Sequence, residues 1–177
     1  LQLGDPQQII KKVYVALELN DSTLEEALIF GADMVILHHS PFYRPFADLR
    51  EDKRQNKRIV ELIRFNVALY SAHTNWDCAE GGVNHVLAGI LGLEKTEVLS
   101  PTNQNNPSVG LGCIGYLARP QTLLSFAQHT ASCLRTESLR FCGEPDTLVS
   151  KVACCGGSGI SLLREAYKKG AQVLVTG

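Results

Sequence analysis

Strand-length apolar runs alternate with helix-period segments along most of this chain, and few architectures accept that order. Residues 13–19 read as a strand, with Val13, Val15 and Leu17 on one face and Tyr14, Ala16 and Glu18 on the other. Ser22-Thr23-Leu24-Glu25 has the form of a capping box, and Leu24, Ala27 and Leu28 continue it as an apolar stripe. Gly31 stands where a helix would be closed by a left-handed residue. Met34-Val35-Ile36-Leu37 is apolar on both faces, the pattern of a strand inside a covered sheet.

The alternation continues. Residues 40–55 read as loop, 59–63 mark a helix, 67–71 a strand, and Val83, Val86, Leu87, Ile90 and Leu91 a helix closed by Gly92. The polar, proline-bearing stretch 100–108 reads as a linker or surface loop. Beyond it we expect a strand over 111–117, a helix over 123–133, a short strand over 139–142 and a strand over 151–155. A helix over 160–169 and a last strand at 173–176 complete the series. Strands and helices in alternation predict an α/β fold with its sheet covered on both faces. We divide the chain into a first α/β half, 1–100, and a second, 101–177.

Composition narrows the classes. With 177 residues the chain holds one core or two small ones, and 45% hydrophobic against 20% charged residues is ordinary globular usage. Lys+Arg 17 against Asp+Glu 18 leaves no basic excess to grip a nucleic-acid backbone. No apolar run approaches the roughly 20 residues of a membrane span, and no leader opens the chain, so we expect a cytoplasmic protein without a membrane partner. The six cysteines contain no C-x-x-C pair, Cys154 and Cys155 are adjacent, and Cys113 and Cys133 sit in apolar segments. We read them as reduced thiols in the core or near a site. The start at Leu1 and the stop directly after Val173-Leu174-Val175-Thr176 lead us to expect a piece of a longer protein.

Two strand ends carry the chemistry. His38-His39 follows an apolar strand at once, and ligands gather at the carboxyl ends of strands in open α/β sheets. Neighbours on a regular strand point to opposite faces. Both imidazoles therefore serve one site only if the strand ends there, or each takes its own ion. Pro41 fits such an end. The plainer reading is a pair of loop histidines bonded to backbone groups. The next strand ends in Ser71-Ala72-His73-Thr74-Asn75-Trp76-Asp77, which brings a third imidazole and a carboxylate. Imidazole with carboxylate suits Zn, Fe, Mn or Ni, and a shared carboxylate is what a two-metal site needs. The alternative is that Asp77 caps the following helix and His73 packs on Trp76. Gly81-Gly82 and Gly156-Gly157-Ser158-Gly159 precede helices and could each cradle an anion or only turn the chain. The second has no P-loop lysine and is not G-x-G-x-x-G. There is no G-x-S-x-G elbow. Cys78 is either a thiol at the site or a small buried hydrophobe, and we take His85 and His129 as structural or surface residues.

The strings Val35-Ile36-Leu37-His38-His39-Ser40-Pro41, Ala72-His73-Thr74-Asn75-Trp76-Asp77 and Gly81-Gly82-Val83-Asn84 resemble the NIF3-like family. That family is also called DUF34, or the GTP cyclohydrolase I type 2 homologues. Gly110-Leu111-Gly112-Cys113-Ile114-Gly115, the strand before Gly156-Gly157-Ser158-Gly159, and Val173-Leu174-Val175-Thr176-Gly177 extend the resemblance over the whole chain. It implies a layered α/β fold of mixed sheets, a centre of two divalent metal ions, and a toroidal homohexamer. By resemblance His38, His39 and Asp77 are metal ligands, and His73 is a ligand or a proton-moving catalytic residue beside the metals. The family supplies a further His and Glu from a segment beyond its V-T-G. Ser40 and Cys113 depart from the family pattern, which bears on the substrate. Two functions compete: a metal-dependent hydrolase of the cyclohydrolase or phosphoesterase type acting on a small molecule, and a non-catalytic metal-binding protein that works through protein contacts.

Overall fold

The computed structural model describes residues 1–103 and 105–177. Gln104, inside the polar stretch, lies outside the described residues. The chain divides into two compact units, Leu1–Thr74 and Asn75–Gly177.

The first unit is a three-stranded parallel sheet in the order β1-β2-β3, built from β1 (Val13–Ala16), β2 (Met34–Leu37) and β3 (Ala68–Ser71). The crossovers are α1 (Asp21–Phe30) and α2 (Arg54–Arg64). Register runs Val13↔Met34↔Ala68 and Ala16↔Leu37↔Ser71, so the three strand ends lie level. Val35, Leu37 and Leu69 meet Leu24 and Ala27 of α1 and Ile59 and Leu62 of α2 in one core. Both helices therefore cover the same face. The strand β2 is buried on that face only; Met34 and Ile36 on the other are half-buried, where the sequence pattern predicted cover on both. Ahead of β1, Leu3 bridges Leu69, which occupies the outer edge of β3.

The start of α1 differs from expectation. Its N-cap is Asn20, whose side chain accepts from the Thr23 amide at 2.9 Å while Thr23 Oγ1 accepts from the Asn20 amide at 2.8 Å. The capping box thus lies two residues ahead of Ser22, which instead bonds to Glu26 along the helix. Gly31 closes the helix in the left-handed conformation, as predicted (φ 69°).

The second unit opens with α3 (Thr74–Asp77), which begins at the unit boundary, and α4 (Val83–Ile90). Its sheet has the order β4-β5-β6-β7: β4 (Leu93–Pro101), β5 (Gly110–Thr122), β6 (Leu148–Cys155) and β7 (Val173–Thr176). β4, β5 and β6 pair antiparallel, and β7 joins β6 in parallel. Ala88 of α4, its C-cap Leu91, and Leu123 and Phe126 of α5 (Leu123–Cys133) pack on Cys113, Val152 and Cys154. Ala166 of α6 (Leu163–Lys168) packs with Ile114 and Ala153 on the opposite face. Here the sheet is covered on both sides. The polar stretch 100–108 starts in the last two residues of β4, and β4 and β5 pair with each other within this unit. Two features differ from the sequence reading. β4 was not foreseen, because Glu94, Lys95, Thr96 and Glu97 face solvent and hide its period. Residues 139–142 form no strand; nearly all of that segment is exposed and none of it is hydrogen-bonded in a ladder. Among the described residues no helix is long and apolar enough to cross a membrane.

Candidate metal centre

The regular ladder of β2 stops at Leu37, and the two residues after it bring the imidazoles together. In a parallel ladder alternate residues bond to a given neighbour. Here the consecutive amides of His38 and His39 both donate to β1 or its extension, to Ala16 O at 3.4 Å and Leu17 O at 2.8 Å. The alternation is broken, and two side chains that a regular strand would send apart lie with ring centroids 5.2 Å from one another. From the level end of β3, Ala72 donates to Leu37 O at 2.8 Å and His73 comes next in the chain. Its ring lies 4.8 Å from that of His38 and 6.0 Å from that of His39.

One nitrogen from each of His38, His39 and His73 lies within 4.8 Å of the other two. His38 is half-buried, and its Nδ1 is 2.8 Å from the Ala72 carbonyl. A carbonyl only accepts, so Nδ1 carries the proton, and Nε2 is the nitrogen that a metal ion would take. His39 and His73 are exposed. The Nδ1 of His73 lies 3.1 Å from Thr74 Oγ1, a partner that the residue pattern did not single out.

This donor set fits a divalent transition-metal ion. An ion about 2.0–2.1 Å from each nitrogen holds its ligands no more than about 4.2 Å apart, so a small rotation of the exposed rings closes the set. Three neutral imidazoles suit Zn, Fe, Ni or Mn and leave positions open for water.

Asp77 is the last residue of α3 and belongs to the second unit. The N-cap position of α4 is held by Gly82. Burial, reinforced by the Asp77 charge, pushes the Cys78 thiol up, and burial with the Asp77 and Cys78 charges does the same to Cys155. A raised, buried thiol is a poor nucleophile, so Cys78 is read as a small hydrophobe. The residue that sequence reasoning passed over is Asn84. It is buried; its Nδ2 donates to the Asp77 carbonyl at 2.9 Å, and its Oδ1 accepts from the Gly156 amide at 2.8 Å. Its place after Gly81-Gly82-Val83 was the one available signal.

Both glycine turns have structural reasons of their own. A Cβ on Gly82 would sit 2.0 Å from the Trp76 carbonyl, so close approach of backbone explains that glycine. In the other turn the Gly156 amide is taken by Asn84, and the Gly159 amide by Thr176 Oγ1 at 2.7 Å. His85 and His129 bond to backbone carbonyls of Ala79 and Leu91, which is a structural role.

The chain is similar to known proteins along its whole length. The family model Duf34/NIF3 (NGG1p interacting factor 3) matches residues 1–177. A Streptococcus pneumoniae protein called GTP cyclohydrolase 1 type 2 homolog is 39% identical over 181 residues, covering 100% of this chain and 67% of its own length. A Clostridium perfringens protein of the same description is 32% identical over 177 residues, again 100% and 67%. Among solved structures, a Bacillus cereus protein related to NIF3 superposes with a TM-score of 0.89 at 27% identity, over 99% of this chain and 75% of that one.

Proposed function

The chain belongs to the Duf34/NIF3 family, and from that premise we propose that it contributes to a dinuclear metal centre and serves a metal-dependent hydrolase of the cyclohydrolase or phosphoesterase type. The observation that carries this reading is the convergence of His38, His39 and His73 from two adjacent strand ends. In it His38 and His39 bind metal, Asp77 supplies a carboxylate ligand, and His73 moves a proton or completes the ligand set. A bound metal ion there supplies an acidified water and a positive charge against which an electrophilic carbon or phosphorus centre is polarised.

The chain's own residues do the rest. The Ala72 carbonyl fixes the tautomer of His38 and aims its Nε2. The exposed imidazole of His73, held by Thr74, is placed to exchange a proton with solvent or substrate. Asp77 stands on a segment whose carbonyl is pinned by Asn84. The name GTP cyclohydrolase 1 type 2 homolog, borne by the relatives, makes GTP the first substrate to try. The family's other name, an interacting factor, supports a second reading in which the metal-loaded protein acts through a protein partner. We also propose that the chain self-associates, on the family resemblance to a homohexamer.

The test is metal content and turnover measured together. Protein purified without chelators carries Fe, Mn, Zn or Ni, and His38→Ala loses most of it. Asp77→Asn, which keeps size but removes the charge, lowers occupancy as well. GTP or a model phosphoester is turned over by the metal-loaded chain and not by His38→Ala. Full occupancy in Asp77→Asn removes that ligand from the assignment. Turnover that survives His38→Ala, or a metal-loaded protein inert toward both substrates, overturns the hydrolase reading, the latter in favour of the interaction partner.

A further inference from the structure

A single side chain outside the three imidazoles joins both strand ends that carry them. The arm ahead of β1 runs antiparallel along the outer side of β3, where Leu3 bridges Leu69 and the Gln2 amide donates to the Leu69 carbonyl at 2.8 Å. That direction sets the start of the arm beside the carboxyl end of β3. There the Gln2 carboxamide oxygen accepts from Ser71 Oγ at 2.6 Å and from Ser40 Oγ at 2.9 Å. Ser40 Oγ also accepts from the Phe42 amide at 2.9 Å, which leaves its one proton for Gln2. A carboxamide oxygen has two acceptor positions, and both are used. Ser71 is the last residue of β3 and stands two before His73, and Ser40 directly follows His39.

These bonds fall where the imidazoles are held least. The ring of His38 is set by the Ala72 carbonyl. His39 and His73 are exposed, and their rings stand 6.0 Å apart, the widest separation of the three. The ladder between β2 and β3 ends with Leu37 opposite Ser71, and the Ala72 amide adds one more bond to the Leu37 carbonyl. Past that point the chain leaves both strands. Gln2 ties the residue after His39 to the residue before Ala72. We propose that Gln2 is a positioning residue of the metal centre: through Ser40 and Ser71 it holds the main chain at His39 and at His73 in the spacing that an ion needs. Ligands whose surroundings are already fixed lose less freedom when the ion arrives, and partners that orient a ligand raise affinity without touching the metal. Both partners of Gln2 are hydroxyl donors, so the oxygen of the carboxamide does the holding. That oxygen is committed to them and is not offered as a ligand. Gln2 is exposed, and bonds at the surface add modestly to the stability of the fold. What they set is the position of one strand end against the other.

This inference rests on the metal centre proposed above and names a residue that holds it in shape. The chain is titrated with zinc against a competing chelator, and with cobalt(II) for its visible spectrum. Gln2→Ala is expected to weaken binding about 10–100-fold, the usual effect of losing a partner that orients a ligand, and to alter the cobalt bands. Gln2→Glu keeps an oxygen that accepts from both hydroxyls and is expected to retain the wild-type affinity and bands. Ser71→Ala removes one of the two bonds and leaves the backbone bond of the arm to Leu69 in place. It is expected to weaken binding in the same sense, and Gln2→Ala added to it costs less than in the wild-type chain, because the two act through one bond. The metal-free variants are expected to melt close to the wild type. Should Gln2→Ala fail to fold, Gln2→Glu and Ser71→Ala decide. Wild-type affinity and bands in Gln2→Ala overturn the inference and leave the metal centre standing. A loss that Gln2→Glu does not rescue, or that Ser71→Ala does not share, makes Gln2 only an anchor for the arm and overturns it as well. A wild-type chain that takes up neither zinc nor cobalt(II) overturns both.

Discussion

His38 shows how little of a side chain's chemistry is its own. An imidazole at a strand end has two nitrogens and a choice of tautomer; the Ala72 carbonyl takes the Nδ1 proton and settles it. Asn84 does comparable work in the second unit, where one buried amide satisfies the Asp77 carbonyl and the Gly156 amide. Asn84→Ala leaves both backbone groups short of a partner and is expected to cost about 1–3 kcal/mol, measured by urea unfolding at neutral pH. Asn84→Asp keeps the acceptor for Gly156 and loses the donor to Asp77, so it should fall between. Asp33 is a third case. It accepts from the amides of Lys11 and Lys12, both at 2.8 Å, and these bonds hold its carboxyl below the usual aspartate range. A carboxyl lowered on folding adds stability that is complete above its unfolded value and is lost as pH falls through the folded one. The expected outcome is that Asp33→Asn narrows the gap in melting temperature between neutral and acid pH. An unchanged gap would remove Asp33 from the acid sensitivity of the fold.

At the level of elements, α1 separates pattern from geometry. Ser22-Thr23-Leu24-Glu25 has the residue types of a capping box, yet the chain uses Asn20 and Thr23. Asn20 is a strong N-cap residue in its own right, and Asp21 then falls in the first turn, where it also meets Arg58. Asn20→Ala should destabilise the chain by about 1 kcal/mol, whereas Ser22→Ala, which loses only an exposed bond to Glu26, should stay within about 0.5 kcal/mol. Equal losses in thermal unfolding would return the cap to Ser22. β4 is the converse. Its polar middle carries no alternation, and it is a strand only because β5 supplies its ladder, with a register shift between Glu94 and Glu97.

For the whole molecule the cysteines are useful markers, because all six lie in the second unit. Cys113 and Cys154 oppose each other across β5 and β6 and are fully buried. Burial pushes the Cys113 thiol up to about 11 and that of Cys154 to about 12. Both are therefore protonated as well as inaccessible at mildly alkaline pH. Mass spectrometry after brief alkylation of the native chain is expected to find Cys142, which is exposed, modified first. Cys113 and Cys154 should appear only with denaturant, and in step with unfolding of the second unit. Their modification in the native state would mean that this sheet opens without global unfolding.

The sequence by itself determined the order of elements wherever a period was clean. The strand before His38 and the helix over 123–133 fall where the apolar spacing put them, since burial of one face is what creates the spacing. It also determined the residue types at the strand ends, and with them the family. It could not determine that His38 and His39 leave the alternation of β2. That depends on both amides bonding to β1, a contact made across more than 20 residues of chain and therefore invisible in local order. The compact units part at Thr74 and Asn75, and pairing of β4 with β5 keeps the segments on the two sides of the polar stretch in one unit. Local sequence encodes which face of an element is apolar. Which elements meet, and hence where three imidazoles converge, is decided only when distant segments compete for the same buried surface.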